Sequence, residues 1–330
     1  MSDSLTFSRR HFLMGAAAST AAASHGFSWP FFGSSEKRFD DRLTLFISDL
    51  HISGRADKPQ HYQLPRFQKV VDRILQMDVL PRRCLCLGDI AWSQGDPRDY
   101  AASRPALERL TAAGIELTLT MGNHDHRRTC AAVWPELAAR SVVPGHFVTP
   151  VSTPDCDFIL FDSLSETGPD EKFYNNVYGE LTVPVQDWMA RELPKWPRPF
   201  FLCAHHSFDE VYQHKFTELK VHGRPLKSFL ADTPNFVGYI HGHDHHWTHG
   251  CEIADWKRRR LFQRLVLPST GHWGDIGYVL FRTEPGKAVA ELYQDDFFFP
   301  VELPPEKCAA DWSAMVAANQ GSVCNFAWRP

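Results

Sequence analysis

Apolar runs without alternation recur along the chain, and most of them end in a short turn carrying acidic residues or histidine. The first covers 43–48 (LTLFIS), and others cover 84–87, 115–121, 200–204 and 236–240. A strand covered on both faces needs such a run, whereas a half-exposed strand would alternate apolar with polar. Between the first three, apolar positions fall at helical spacing: Phe67, Val70, Val71, Ile74 and Leu75, then Leu107, Leu110 and Ala113, with Gly114 placed to close the second helix. The order β-α-β-α-β implies parallel strands with helical crossovers. The middle predicts a helix near 131–139, a strand at 157–161, a β-segment around 177–183 and a helix at 185–193. Three further β-type runs, 261–267, 278–282 and 289–293, follow with turns between them and no helices, so they are expected to form an antiparallel second sheet.

The strand ends carry the chemistry. Asp49-Leu50-His51, Gly88-Asp89, Gly122-Asn123-His124-Asp125, His205 and Gly242-His243-Asp244-His245 each follow an apolar run. Ligands of open α/β sheets bind beyond the carboxyl ends of strands, where all of these lie. Asp49, Asp89, Asn123, His51, His205, His243 and His245 offer oxygen and imidazole donors and no thiolate. That set suits Mn, Fe or Zn rather than Ca or Mg, and seven donors with a carboxylate able to bridge indicate two divalent or trivalent ions. Two carboxylates against two such ions leave excess positive charge, which favours an anionic substrate.

In order and in residue type, the five motifs resemble those of the calcineurin-like metallophosphoesterases. The resemblance implies an α/β fold, a four-layer α/β/β/α sandwich of two mixed sheets flanked by helices. It also implies one metal on Asp49, His51 and His245, a second on Asn123, His205 and His243, and Asp89 as the bridge. His124 matches the family's catalytic non-ligand histidine. The implied activity is metal-dependent phosphoric ester hydrolysis, of a small-molecule phosphodiester or phosphomonoester, through a hydroxide held between the ions with His124 as general acid. A non-catalytic metal-binding interaction scaffold on the same fold is the alternative. In Ala204-His205-His206-Ser207 the usual proline is Ser207, which leaves His206 as the other choice of ligand. Many relatives have an aspartate three residues after the bridge to orient the catalytic histidine; here that residue is Trp92, with Asp96 and Asp125 as substitutes. Asp99-Tyr100 and the Gly122 motif also resemble the branch holding class III cyclic-nucleotide phosphodiesterases. Arg127, Arg128, His206, Tyr212 and His214 are further candidates for contact with the phosphate or leaving group.

Composition changes this picture at the termini. A net charge of −4 gives no footprint for nucleic acid or a membrane surface. Ser8-Arg9-Arg10-His11-Phe12-Leu13, a small apolar run and Ala21-Ala22-Ala23 resemble a twin-arginine export signal. The expectation is therefore a periplasmic or otherwise exported protein, handled by the twin-arginine translocase, with residues 1–35 as signal and linker, 40–300 as the phosphoesterase domain and 301–330 as a C-terminal extension. Cys84, Cys86 and Cys203 fall in predicted central strands, with Cys84 and Cys86 on one face. Among the other five, Cys308 and Cys324 are the expected pair if export oxidises any.

Overall fold

A computed structural model describes residues 37–55, 62–165, 177–212, 214–255, 260–298 and 316–329. The export signal, most of the basic run at 257–260, and Cys308 lie outside them. The opening alternation is present as β1 (Arg38–Ile47), α1 (Gln63–Leu75), β2 (Val79–Leu87), α2 (Pro97–Ala112) and β3 (Glu116–Thr120). All three strands are parallel neighbours. Gly114 follows α2 at φ +95°, a conformation that costs glycine little.

The helix expected near 131–139 forms as two pieces, α3 (Arg127–Val133) and α4 (Pro135–Ala138). Pro135 pushes Trp134 out of the helical region, to φ −125° and ψ 68°. Then come β4 (Thr149–Ser152), β5 (Asp157–Leu160), α5 (Val183–Glu192) and β6 (Phe200–Ala204). No strand forms at 177–182, and Val183 instead begins α5, because Pro184 fits the first turn of a helix and supplies no N–H to a ladder. A hairpin of β7 (Asp209–Tyr212) and β8 (Lys215–Glu218), a short ribbon of β9 (Lys220–Val221) and β10 (Arg224–Pro225), and α6 (Leu226–Ala231) precede β11 (Phe236–His241). The remaining strands are β12 (Thr248–Asp255), β13 (Arg260–Val266), β14 (Gly274–Glu284), β15 (Lys287–Phe298) and β16 (Val323–Ala327).

Two mixed six-stranded sheets result, ordered β16-β15-β14-β1-β2-β3 and β12-β13-β11-β6-β5-β4. This corrects the sequence reading of the last strands. β14 and β15 pair antiparallel in the first sheet, beside β1, and only β13 joins the second sheet, parallel to β11. Hairpin turns gave the local antiparallel pairing of β14 with β15, but turns carry no information about which sheet edge a hairpin joins. β16 pairs with β15 and carries Cys324 and Phe326 into the core, so the folded core extends past residue 300.

The uninterrupted apolar runs are explained by covering on both faces. Within β1, Leu45 and Ile47 face the layer of α1 and α2, while Phe46 faces the other sheet. In β2, Cys84 and Cys86 face the helices and Leu85 the other sheet; in β6, Phe200 and Leu202 face the layer of α5 and α6, and Phe201 the first sheet. Phe46 and Phe281 from one sheet meet Phe158 and Phe201 from the other, with ring centroids 5.2–5.7 Å apart. The architecture is the expected α/β/β/α sandwich. Its central aromatic layer holds the two sheets together, and both present the carboxyl ends of their parallel strands to one site.

Candidate metal centre

The loops leaving β1, β2, β3, β6 and β11 are tied to one another before any metal is considered. Asp49 N donates to Gly88 O at 3.1 Å and His51 N to Asp89 O at 2.9 Å, which zips the first two loops together. Across the sheets, His243 N donates to Asp49 Oδ2 at 3.1 Å, and within the second sheet Gly242 N donates to His205 O at 3.1 Å. Asp125 ties the third loop in. Its buried carboxylate accepts from Ile90, Ala91 and Gly122 N–H groups and from the Tyr100 hydroxyl, all within 3.3 Å. Burial, followed by the nearby Asp89 charge, pushes its carboxyl up to about 6.

The fit is close enough to exclude a side chain at position 122, where a Cβ would lie 2.1 Å from Asp89 Oδ1. Gly122→Ala is therefore expected to cost about 1–3 kcal/mol, as overpacking does. A urea midpoint equal to wild type would show that the loop yields instead.

Asp49, His51, Asp89, His243 and His245 all hold positive φ, between 44° and 71°. Ordinary residues enter that region at a cost and persist there only when the surroundings enforce it, typically at functional sites. The strand-end turns are thus bent to aim side chains inward.

Those side chains fall into two groups sharing one oxygen. Asp89 Oδ2 lies 3.3 Å from His51 Nε2 and 3.3 Å from His205 Nε2. On the first side, His51 Nε2 is 3.3 Å from His245 Nε2, which is 3.1 Å from Asp49 Oδ1. On the second, His205 Nε2 is 3.1 Å from Asn123 Oδ1 and 3.2 Å from His243 Nδ1. All seven residues proposed from the sequence as ligands therefore converge, in the two sets expected. Of the two neighbouring histidines, His205 supplies the nitrogen beside Asn123 Oδ1.

The electrostatics fit a cation. Burial pushes the Asp89 carboxyl up, but the imidazoles of His205, His124 and His51 outweigh it and hold Asp89 well below the usual carboxylate range. Asp49 is likewise held down, against burial, by His245 and His205. Burial would depress His205, yet Asp89 and Asp49 raise it to about 10. Without metal, a proton on His205 balances buried anions, a task that a bound cation takes over with proton release. Asp49 Oδ1 is buried, 3.1 Å from His245 Nε2, and makes no hydrogen bond among the described residues. Facing lone pairs and an orphaned carboxylate oxygen fit a pair of transition-metal ions, and the donor set excludes a closed thiolate zinc site.

His124 lines the adjoining cleft of about 390 Å³ together with Asn123, Val177 and Trp273. Neither Asp96 nor Asp125 orients it. Its Nδ1 donates to the Trp92 carbonyl at 2.6 Å, and its backbone N–H to Asp89 Oδ1 at 2.8 Å. The His124 ring is thus held by the backbone carbonyl of Trp92, the residue at the position where the resemblance implied an aspartate. Asp96 instead caps α2, accepting from Arg98 N.

Of the further candidates, Arg127 is engaged in a two-pronged pair with buried Asp162, at 2.7 and 2.9 Å, and His214 is exposed. The Tyr212 side chain lies outside the described residues. Sequence reasoning overlooked His272 and Trp273, whose rings lie 4.3 Å from those of His51 and His245 respectively. The signal was Gly271-His272-Trp273-Gly274, another histidine-bearing turn between β-type runs, but at the start of a strand rather than the end.

The family model for calcineurin-like phosphoesterases matches residues 43–247. No curated protein matches the chain. Among solved structures, a dimetal phosphatase from Danio rerio superposes with a TM-score of 0.56 at 14% identity, covering 76% of this chain and 95% of that one. Vps29 of Chaetomium thermophilum gives a TM-score of 0.36 at 14% identity over 87% of this chain and 99% of its own. Vps29 of Entamoeba histolytica complexed with zinc gives 0.36 at 12% identity, over 76% and 92%. The first likeness concerns the fold.

Proposed function

The chain belongs to the calcineurin-like phosphoesterases, and on that premise we propose that it hydrolyses a small phosphodiester or phosphomonoester with two transition-metal ions, Mn, Fe or Zn. The observation that carries this reading is the single oxygen Asp89 Oδ2 flanked at 3.3 Å by a nitrogen of each donor set. Asp49, His51 and His245 would hold one ion, Asn123, His205 and His243 the other, with Asp89 between. Such ions supply Lewis acidity toward a phosphoryl oxygen and lower the pKa of bound water toward about 7. Their excess positive charge suits an anionic substrate.

The chain's own groups supply the rest. Because a carbonyl only accepts, Trp92 O fixes the proton of His124 on Nδ1. Nε2 is then the nitrogen left to carry a second proton to the leaving oxygen. The carbonyl also supports the resulting imidazolium, so His124 serves as general acid without a carboxylate partner. With every donor present and His124 in the cleft, catalysis is favoured over a purely scaffolding role.

Metal analysis of the purified protein should give close to two ions per chain, and chelation should abolish turnover of bis-nitrophenyl phosphate until metal is restored. One ion in the fully loaded protein would sink this reading. We also propose export by the twin-arginine route, which carries folded proteins and so allows metals to be loaded beforehand. Replacing Arg9 and Arg10 by Lys should leave an uncleaved precursor in the cytoplasm on fractionation, and normal export of that variant would remove the case.

A further inference from the structure

One buried imidazole beside the donor sets has no part in the mechanism above. His206 follows His205 out of β6 and is fully buried, its Nδ1 2.8 Å from Ser163 Oγ and its Nε2 without a hydrogen-bond partner among the described residues. Donor atoms of His205, His206 and His243 all lie within 4.8 Å of one another. Two nitrogens each bound at about 2.1 Å to one tetrahedral zinc ion are about 3.4 Å apart, so a closure of at most about 1.4 Å separates this trio from a shared ion.

His205 shows what a ligand looks like in this fold. Its Nδ1 is held by Leu87 O at 2.8 Å while Nε2 faces the other donors. His206 shares part of that arrangement: Nδ1 is held by Ser163 and Nε2 is left open, and one held nitrogen with the other free is usual for imidazoles on metals. The ring is also fixed in place: a Cβ at position 179 would lie 2.7 Å from it, so Gly179 lets the chain close down on it. An orphaned nitrogen alone would not suffice. His241 is equally buried, and its Nε2 lacks a partner too, but it joins no group of converging donors among the described residues.

We propose that His206 Nε2 is an additional ligand of the ion assigned to Asn123, His205 and His243. The inference rests on the two-ion reading. It makes the two half-sites chemically unlike: one has two imidazoles and its own carboxylate, the other three imidazoles and an amide. Loss of metal affinity on substitution cannot test this, because removing an outer partner of a ligand already costs about 10–100-fold.

The test is to label the wild-type protein with ¹⁵N-histidine, remove metal, titrate with zinc and follow the imidazole nitrogens by NMR. His206→Gln identifies the His206 signals, and Ser163→Ala identifies them independently by perturbing Nδ1, should the first variant fail to fold. The expected result is five imidazoles converted to the metal-bound form: His51, His205, His206, His243 and His245. Four, with His206 unmoved, would overturn the inference and leave the two-ion reading standing. If none of the other four moved, the two-ion reading would fall and this inference with it.

Discussion

Replacing Asp89 by asparagine should strip more than one metal ion from each chain and abolish turnover. Both carboxylate oxygens are committed: Oδ2 sits between His51 and His205, and Oδ1 accepts the His124 N–H. An amide can satisfy only one of those demands. Turned with its NH₂ toward the imidazoles, it offers no lone pair to an ion. Turned the other way, it sets the NH₂ against the His124 N–H, donor to donor, in a buried site. Either way a charge shared by both half-sites is gone. Elemental analysis should fall from close to two ions to below one, whereas Asp49→Asn, which touches one half-site, should lose only one. Two ions retained by Asp89→Asn would remove the bridging role.

His124→Ala should slow hydrolysis of an alkyl or nucleoside ester by about 10²–10⁴-fold, the usual contribution of general acid catalysis. An alkoxide cannot leave without a proton, while a nitrophenolate is a stable anion that departs largely unaided, so the loss on a nitrophenyl ester should be much smaller. Metal content should be unchanged, because His124 is not among the proposed ligands. Paired rate measurements on the two ester classes, with metal analysis alongside, provide the check. Equal losses on both would assign His124 to stabilising charge on the phosphoryl oxygens.

The first sheet's parallel core and the convergence of the seven donor side chains were legible because each donor follows a strand buried on both faces. Such a strand writes an unbroken apolar run into the sequence, and its end marks the site. What was not legible depends on tertiary choices that leave no local trace. The β14–β15 hairpin joined the first sheet because β1 offered a free edge there. The 177–183 stretch has β-branched residues suited to a strand, but Pro184 starts a helix. Trp92 could not be read as the support of His124, since the group that does the work is its carbonyl, which every residue possesses. His272 was missed because it precedes its strand.

The five proposed ligands with positive φ set a limit on how this protein can be improved. Each costs of order 1 kcal/mol or more relative to a relaxed backbone. Glycine would relieve that cost at every one of these positions while deleting the donor. A search for heat-resistant variants carried out without metal would thus be drawn to residues 49, 51, 89, 243 and 245, and its best candidates would be inert. Carried out with saturating metal, the same search would reject those substitutions, because bound ions stabilise the folded chain by mass action and glycine forfeits that gain.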